Sequence, residues 1–233
     1  MYRYFYTILI LLAVQVASAQ QHEIGIFAGG SNPISDIGRG YYVLPNRPAV
    51  GGVYKWNFHE RMSVRVQLTG TQLYGNDRQS DIAGKRKRDF SFKTDVTEMM
   101  TGVEFHFREY RIEHLIDRPW TPYVFVGIGG FWHDDLYFDN TTAKPLEAEN
   151  TTRREFDAML PVALGIKKKI TQRLILAGEV GFRYTLTNNV DGNAPTHQGF
   201  MFGNLGRSYD WYTMVGASLT YTFWEAPCYC KRR

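Results

Sequence analysis

The chain has 233 residues, a formal net charge of +4, 15% aromatic residues and 22 glycines. Beyond its N-terminus, no stretch is apolar enough for a membrane helix, which needs about 20 apolar residues. Its two cysteines are too few for a disulfide framework, and its dispersed basic residues argue against a nucleic-acid-binding protein.

Residues 1–19 have the three parts of a secretory signal peptide. Arg3 supplies a positive charge, residues 7–17 form a short apolar run, and Ala17-Ser18-Ala19 is a small-residue cleavage signal. We expect cleavage after Ala19, with an uncleaved anchor as the alternative. Export would place the rest of the chain in an oxidising compartment.

Strand patterns recur through the rest of the chain. They fall at residues 22–30, 47–58, 61–74, 94–108, 120–132, 157–170, 172–186 and 209–223. In 61–74, strict alternation puts Met62 and Val64 on one face and Ser63 and Arg65 on the other. In 209–223, aromatic residues stand at both ends of one face, as two interfacial belts would require. Each segment is long enough for a membrane crossing, which takes about 9–11 residues.

These segments predict an all-β fold: an eight-stranded antiparallel transmembrane β-barrel over residues 20–223, located in the outer membrane. The connections alternate in length. Tight turns at 57–61 and 169–173 lie on one side, and long polar connections lie on the other, at 31–46, 75–90, 133–156 and 187–208. Short periplasmic turns and long outer loops are typical of outer-membrane barrels, which places both termini in the periplasm. Residues 109–119 form a longer connection on the short side.

Charges at mid-strand distinguish this barrel from a soluble barrel or sandwich, whose apolar core would not hold them. The inward faces carry Arg65, Glu98, Glu104, Glu179 and Arg183 at mid-strand. An eight-stranded barrel is just wide enough for its own side chains. We therefore expect Arg65, Glu104, Glu179 and Arg183 to form a packed interior ion network, with a small gated channel as the alternative.

No catalytic site, metal site or cofactor is expected. His133 precedes Asp134 and Asp135, and His197 precedes Ser208, but both groups fall in predicted outer loops. None of these spacings specifies a catalytic triad or a metal site, and a solvated loop explains them. The chain is accordingly predicted not to be an enzyme.

Residues 224–233 follow the last predicted strand as a periplasmic tail. Cys228 and Cys230 are one residue apart, so a disulfide between them would close a small, strained ring. The alternatives are inert thiols, such a local bridge, or a disulfide from one cysteine to another protein.

Several segments, in their order along the chain, resemble the PorG-like family of outer-membrane barrels from Bacteroidota. They include His22-Glu23-Ile24-Gly25, Gly29-Gly30-Ser31-Asn32, Pro45-Asn46-Arg47-Pro48-Ala49, Tyr54-Lys55-Trp56-Asn57-Phe58, Thr121-Pro122-Tyr123-Val124-Phe125, Glu179-Val180-Gly181-Phe182-Arg183 and Leu219-Thr220-Tyr221-Thr222-Phe223. No single motif is specific, but the resemblance covers nearly the whole mature chain.

The resemblance implies a structural part of the type IX protein secretion system that anchors the periplasmic PorK/PorN ring to the outer membrane, without catalysis. On this view Lys231, Arg232 and Arg233 would steer docking, and Cys228 or Cys230 would lock it. The alternative for the tail is a disordered basic end. The alternative function is an adhesion or host-interaction barrel acting through its outer loops. An enzyme or small transporter would need a defined rim site or an open lumen.

Overall fold

The computed structural model describes residues 21–110, 119–139, 146–192 and 209–223. The predicted signal peptide and the tail lie outside the described residues. The elements are β1 (Gln21–Ile34), β2 (Arg47–His59), β3 (Met62–Asn76), α1 (Ala83–Arg88), β4 (Phe90–His106), β5 (Trp120–Tyr137), β6 (Leu146–Glu147), β7 (Glu149–Lys169), β8 (Leu174–Thr185) and β9 (Trp211–Phe223). A single 3-10 turn, Asp77–Gln79, precedes α1.

Eight of the strands close into a ring. Each long strand pairs antiparallel with its neighbours in the order β3-β2-β1-β9-β8-β7-β5-β4, and β3 pairs with β4 to complete the circle. The short strand β6 pairs in parallel with the start of β4 and takes no part in the ring. The predicted eight-stranded antiparallel barrel is therefore confirmed.

Alternation along each strand separates an apolar exterior from a polar interior. Exposed aliphatic residues cover the middle of the outer wall: Ile24, Ile26, Val50, Leu68, Met99, Val103, Val126, Ile128, Leu160, Val162, Leu164, Ile166, Leu176 and Leu219. Buried polar residues on the same strands include Lys55, Arg65, Glu98 and Thr220. This is the inverse of a soluble protein and is typical of a barrel surrounded by lipid.

Aromatic residues border the aliphatic wall at both ends. At the short-turn end, Phe105 packs against Phe107, and Tyr221 packs against Phe223. At the other end, Trp132 packs against Phe156 with ring centroids 4.9 Å apart. On β5, Trp120 and Trp132 mark the two borders and are about 40 Å apart along the strand, or about 30 Å along the barrel axis at a tilt of about 40°. This separation matches the hydrocarbon thickness of a bilayer.

The described connections follow the predicted alternation of short and long. Residues 60–61 join β2 to β3 and residues 170–173 join β7 to β8 at one end. The connection 107–119 shares that end and is longer. Within the described ranges, no helix is long and apolar enough to cross a membrane.

The strands extend further toward the long-loop end than the sequence predicts. β4 begins at Phe90 instead of residue 94, and β7 begins at Glu149 instead of residue 157. β5 continues to Tyr137, so much of the predicted loop 133–156 is strand. Thr213 on β9 is 1% exposed because the β1–β2 loop covers it, and its Oγ1 donates to the backbone carbonyl oxygen of Tyr42.

Candidate functional site

The interior charges lie in layers, and the layer nearest the short turns is centred on Glu104. Its carboxylate accepts hydrogen bonds from Lys55 Nζ at 2.8 Å and Lys167 Nζ at 2.9 Å. His106 Nε2 lies 3.2 Å from the same carboxylate. These side chains come from three strands, β2, β4 and β7, and all four are inaccessible to solvent.

The middle layer is an ion pair between Arg65 and Glu179. Nη1 and Nη2 of Arg65 donate to the two carboxylate oxygens of Glu179 at 2.6 and 2.7 Å. Tyr123 Oη donates to the same carboxylate at 2.6 Å, and the guanidinium lies over the Phe125 ring. Arg65 also lies 3.8 Å from Glu104, which connects the two layers.

The third layer pairs Arg183 with Glu98. The guanidinium donates to the carboxylate at 3.2 and 3.4 Å, and Tyr212 Oη donates to it at 2.7 Å. The four residues predicted as one interior network therefore all lie inside the barrel. Arg183 pairs with a carboxylate that the predicted set left out.

Between the two ends, the lumen is packed and close to neutral. Its buried carboxylates, Glu23, Glu98, Glu104 and Glu179, lie among five buried cations, Lys55, Arg65, Lys167, Lys169 and Arg183. Apolar side chains also fill the lumen on the long-loop side of the middle layer: Phe27, Met100, Phe131, Met159 and Met214, all 2% exposed or less. Because the interior groups bond one another, this arrangement stabilises the barrel and leaves no accessible nucleophile among them.

Tyr110 covers the short-turn end of the lumen. Its ring lies under the ammonium groups of Lys167 and Lys169, at 4.8 and 4.7 Å from the centroid, and its backbone N–H donates to Glu60 at 3.0 Å. Burial, together with the carboxylates of Glu23 and Glu104, raises the pKa of the Tyr110 hydroxyl. The start of the connection 107–119 therefore folds across this end and closes it.

The residues predicted to bind a partner are beyond the described part of the chain. These are Cys228, Cys230, Lys231, Arg232 and Arg233. The last described residue, Phe223, ends β9 in the aromatic border at the short-turn end. The last strand therefore ends at the end of the barrel that Tyr110 closes.

At the opposite end, the loops bond to one another and to the barrel. Asp77 is fully buried; it accepts from Gly38 N at 3.0 Å and from Arg88 Nε at 2.8 Å, which joins the β1–β2 and β3–β4 loops. Residues 41–46, which we call the strap, fold back over the outer wall. The strap packs so closely on β1 that a Cβ at Gly30 would lie 2.7 Å from Pro45.

His133 lies at the long-loop mouth of the lumen, on β5. The prediction of a solvated loop here was wrong, since the residue belongs to a strand and is 0% exposed. Its Nε2 lies 2.9 Å from Asp157 Oδ2 on the neighbouring strand β7, and Glu155 completes a cluster whose ligand atoms all lie within 4.8 Å of one another. His197 and Ser208 are outside the described residues.

The family of the chain follows from a sequence comparison. The model of a domain of unknown function, DUF6089, matches residues 2–232. The chain belongs to the DUF6089 family. A search of curated proteins finds no match to this DUF6089 protein.

Solved structures similar to this DUF6089 protein include outer-membrane β-barrels. A major outer membrane protein from Thermus thermophilus is 12% identical, with a TM-score of 0.47, over 88% of this chain and 100% of that one. OprG from Pseudomonas aeruginosa is 9% identical, with a TM-score of 0.47, over 89% and 97%. Ail, the attachment invasion locus protein of Yersinia pestis, is 13% identical, with a TM-score of 0.43, over 88% and 99%.

Proposed function

We propose that this DUF6089 protein is a non-catalytic outer-membrane component of the type IX protein secretion machinery that anchors the periplasmic PorK/PorN ring. The observation that carries the proposal is the packed lumen, whose charges pair with one another. A barrel without a channel acts through its ends and its outer surface. The named partners come from the sequence resemblance to the PorG-like family.

Membrane location is supported by the outer wall. Aliphatic residues cover its middle, and aromatic pairs such as Trp132–Phe156 and Tyr221–Phe223 border it at the two ends. Between these borders the buried charges lie in the interior, where they pair with one another. A soluble barrel would aggregate through so large an apolar exterior.

The short-turn end suits a docking surface for a protein ring. Tyr110 closes the lumen there, while Arg61 and Glu109 form an ion pair at 3.2 Å whose side chains remain 43% and 39% exposed. β4 and β9 both end at this end of the barrel, where Phe107 and Phe223 belong to the aromatic border. Rim charges of this kind steer association and fix orientation more than they add affinity.

A non-reducing gel of outer membranes from the native host tests the covalent form of this anchor. We expect a reducible band that contains this protein and a periplasmic lipoprotein, identified by mass spectrometry. One of the two variants, Cys228→Ser or Cys230→Ser, should abolish the band, and that variant identifies the cysteine that forms the disulfide.

Photo-crosslinking tests the same docking without relying on a disulfide. A photoreactive residue at Glu109, at the short-turn end, should capture a ring protein. The matched control is Ile82, which is exposed at the long-loop end and should capture none. If neither the gel nor Glu109 yields a ring protein, and gentle co-purification recovers none, the secretion assignment fails. Loss of cell adhesion on shortening the loop 77–89 would then favour the adhesion barrel.

A further inference from the structure

We propose that the long-loop mouth of the lumen binds a first-row divalent transition-metal cation, of the Zn²⁺ class, through His133, Glu155 and Asp157. The inference is independent of the secretion function. The three side chains come from adjacent antiparallel strands: His133 lies opposite Glu155, and Phe131 lies opposite Asp157. Because all three alternate to the inner face of the barrel, regular strands bring the donor atoms together within 4.8 Å.

The first observation that points to a cation is the environment of the His133 ring. Nδ1 lies 3.1 Å from the backbone carbonyl oxygen of Asp134, and Nε2 lies 2.9 Å from Asp157 Oδ2. A carbonyl and a carboxylate both accept hydrogen bonds, so both ring nitrogens face acceptors. The carboxylate at Nε2 is placed to share a cation with that nitrogen while Nδ1–H donates to the carbonyl, which is the usual arrangement of a histidine metal ligand.

The second observation is the buried amide of Asn189, which is 4% exposed. Its Nδ2 donates to Glu155 Oε2 at 3.3 Å and to Asp135 Oδ1 at 3.1 Å, so it orients the Glu155 carboxylate. Its Oδ1 is buried and has no hydrogen-bond partner in the described part of the chain. Such an acceptor is costly to leave unsatisfied, and a metal-bound water would supply a donor.

The local charge also favours a cation. Two carboxylates, Glu155 and Asp157, face one imidazole, and no lysine or arginine among the described residues forms an ion pair with either of them. The Phe131 ring stacks on the imidazole with centroids 5.2 Å apart, which holds His133 in place.

The donor set indicates the kind of metal. Zn²⁺ binds imidazole nitrogen and carboxylate oxygen at about 2.0–2.2 Å, which places tetrahedral ligands about 3.3 Å apart. The ligand atoms lie within 4.8 Å of one another, so rotation of the carboxylate side chains can bring them to this spacing, and a water would complete a tetrahedral site. Mixed nitrogen and oxygen ligands favour Zn²⁺ and its first-row neighbours over Ca²⁺ and Mg²⁺, which prefer oxygen alone.

The test uses the full-length barrel, purified in detergent without a histidine tag. Titration with Zn²⁺ by calorimetry should give one ion per barrel, and Zn²⁺ should raise the unfolding temperature relative to EDTA-treated protein. Asp157→Asn should weaken binding by about tenfold or more and remove the temperature shift. An asparagine at this position can donate to His133 Nε2, so the metal-free variant should fold and be as stable as the wild type.

Two controls separate this cluster from general binding to surface groups. His22→Gln removes a half-buried histidine at the other end, and Asp95→Asn removes an exposed carboxylate at the long-loop end; both variants should bind Zn²⁺ like the wild type. X-ray absorption should show one imidazole nitrogen among light-atom ligands. Absence of wild-type binding overturns the proposal. The proposal is also overturned if Asp157→Asn and His133→Gln both bind Zn²⁺ as tightly as the wild type. It is overturned as well if the wild type binds Ca²⁺ as tightly as Zn²⁺ and His133→Gln does not change the affinity for Ca²⁺.

Discussion

Arg65 uses most of its hydrogen-bonding capacity inside the barrel. It donates to both carboxylate oxygens of Glu179 and to the side-chain oxygen of Gln67. Removing a buried charge from water is costly, and the cost is offset only when the partners are complete. The stability of the lumen therefore depends on pairs of residues more than on individual ones.

Breaking this pair should destabilise the barrel strongly. We expect Arg65→Met to lower the free energy of unfolding by about 3–5 kcal/mol, because Glu179 would remain buried and charged. The double variant Arg65→Met/Glu179→Gln should lose less than the sum of the single variants. Urea unfolding of the barrel in detergent, in a double-mutant cycle, measures the coupling.

The exposed pair Arg61–Glu109 is the matched control for that cycle. Its nitrogen-to-oxygen distance is 3.2 Å, yet both side chains are more than a third exposed. We expect a coupling of about 0–1 kcal/mol. Equal couplings for the two pairs would contradict the assigned role of burial.

The sequence indicated which side chains point into the barrel, but not which of the interior charges form ion pairs. Alternation places Arg65 and Glu179 on inward faces. Which carboxylate meets which guanidinium depends on the stagger of strands more than 100 residues apart, as in Arg65–Glu179 with a separation of 114. Lys167 was missing from the predicted interior network. Because Leu164 and Ile166 face outward, strand alternation implies that Lys167 points inward.

At the scale of the strands, interior glycines make room for large interior side chains. On β9, a Cβ at Gly216 would lie 2.6 Å from the Phe27 ring and 2.7 Å from the Ala28 carbonyl oxygen. On the outer wall of β8, a Cβ at Gly178 would meet nothing within 4 Å. The same residue type thus has a packing role on one face and none on the other.

Gly216→Val should therefore destabilise the barrel by about 1–3 kcal/mol through overpacking of β1 against β9. Gly178→Val, which adds apolar surface facing lipid, should be neutral or slightly stabilising. The shift in the urea midpoint of each variant, measured in the same detergent, distinguishes them. A loss in Gly178→Val as large as that in Gly216→Val would show that the packing at Gly216 is not the cause.

Strand ends near the long loops were the least predictable part of the elements. Residues 149–156 are almost entirely polar, so their composition resembles a loop. In the structure these residues extend β7 and pair with the end of β5, beyond the aromatic border. The outer wall needs no apolar side chains there, because it no longer faces the lipid. Without that requirement, the alternation that identifies a strand in the membrane disappears. His133 was assigned to a loop for the same reason.

At the scale of the whole molecule, the two ends differ in construction, which allows the orientation to be measured. In a background of Cys228→Ser and Cys230→Ser, Gly84→Cys places a thiol in α1 at the long-loop end, and Gln172→Cys places one in a tight turn. On intact cells, a membrane-impermeant maleimide should label position 84 and not 172. Labelling of 172 alone would reverse the predicted orientation.

The closed ring itself was predictable, because the strand count and the alternation of connection lengths both derive from the bilayer. Docking partners and the packing of the loops were not, since neither is constrained by a periodic pattern. The link between Asp77 and Arg88 joins residues that composition assigns only to a polar loop.

The strap has a consequence for the order in which the barrel is completed. Its carbonyl oxygens at Tyr41 and Tyr42 accept from Asn32 on β1 and Thr213 on β9, at 2.7 and 2.5 Å. Those two strands are the first and the last of the chain, and their pairing is the seam of the ring. The Asn32 bond holds the strap on β1, and only the Thr213 bond requires β1 and β9 to be side by side. The strap therefore works as a latch that engages β9 only after the seam has formed, and reopening the seam from that end would require the Thr213 bond to break first.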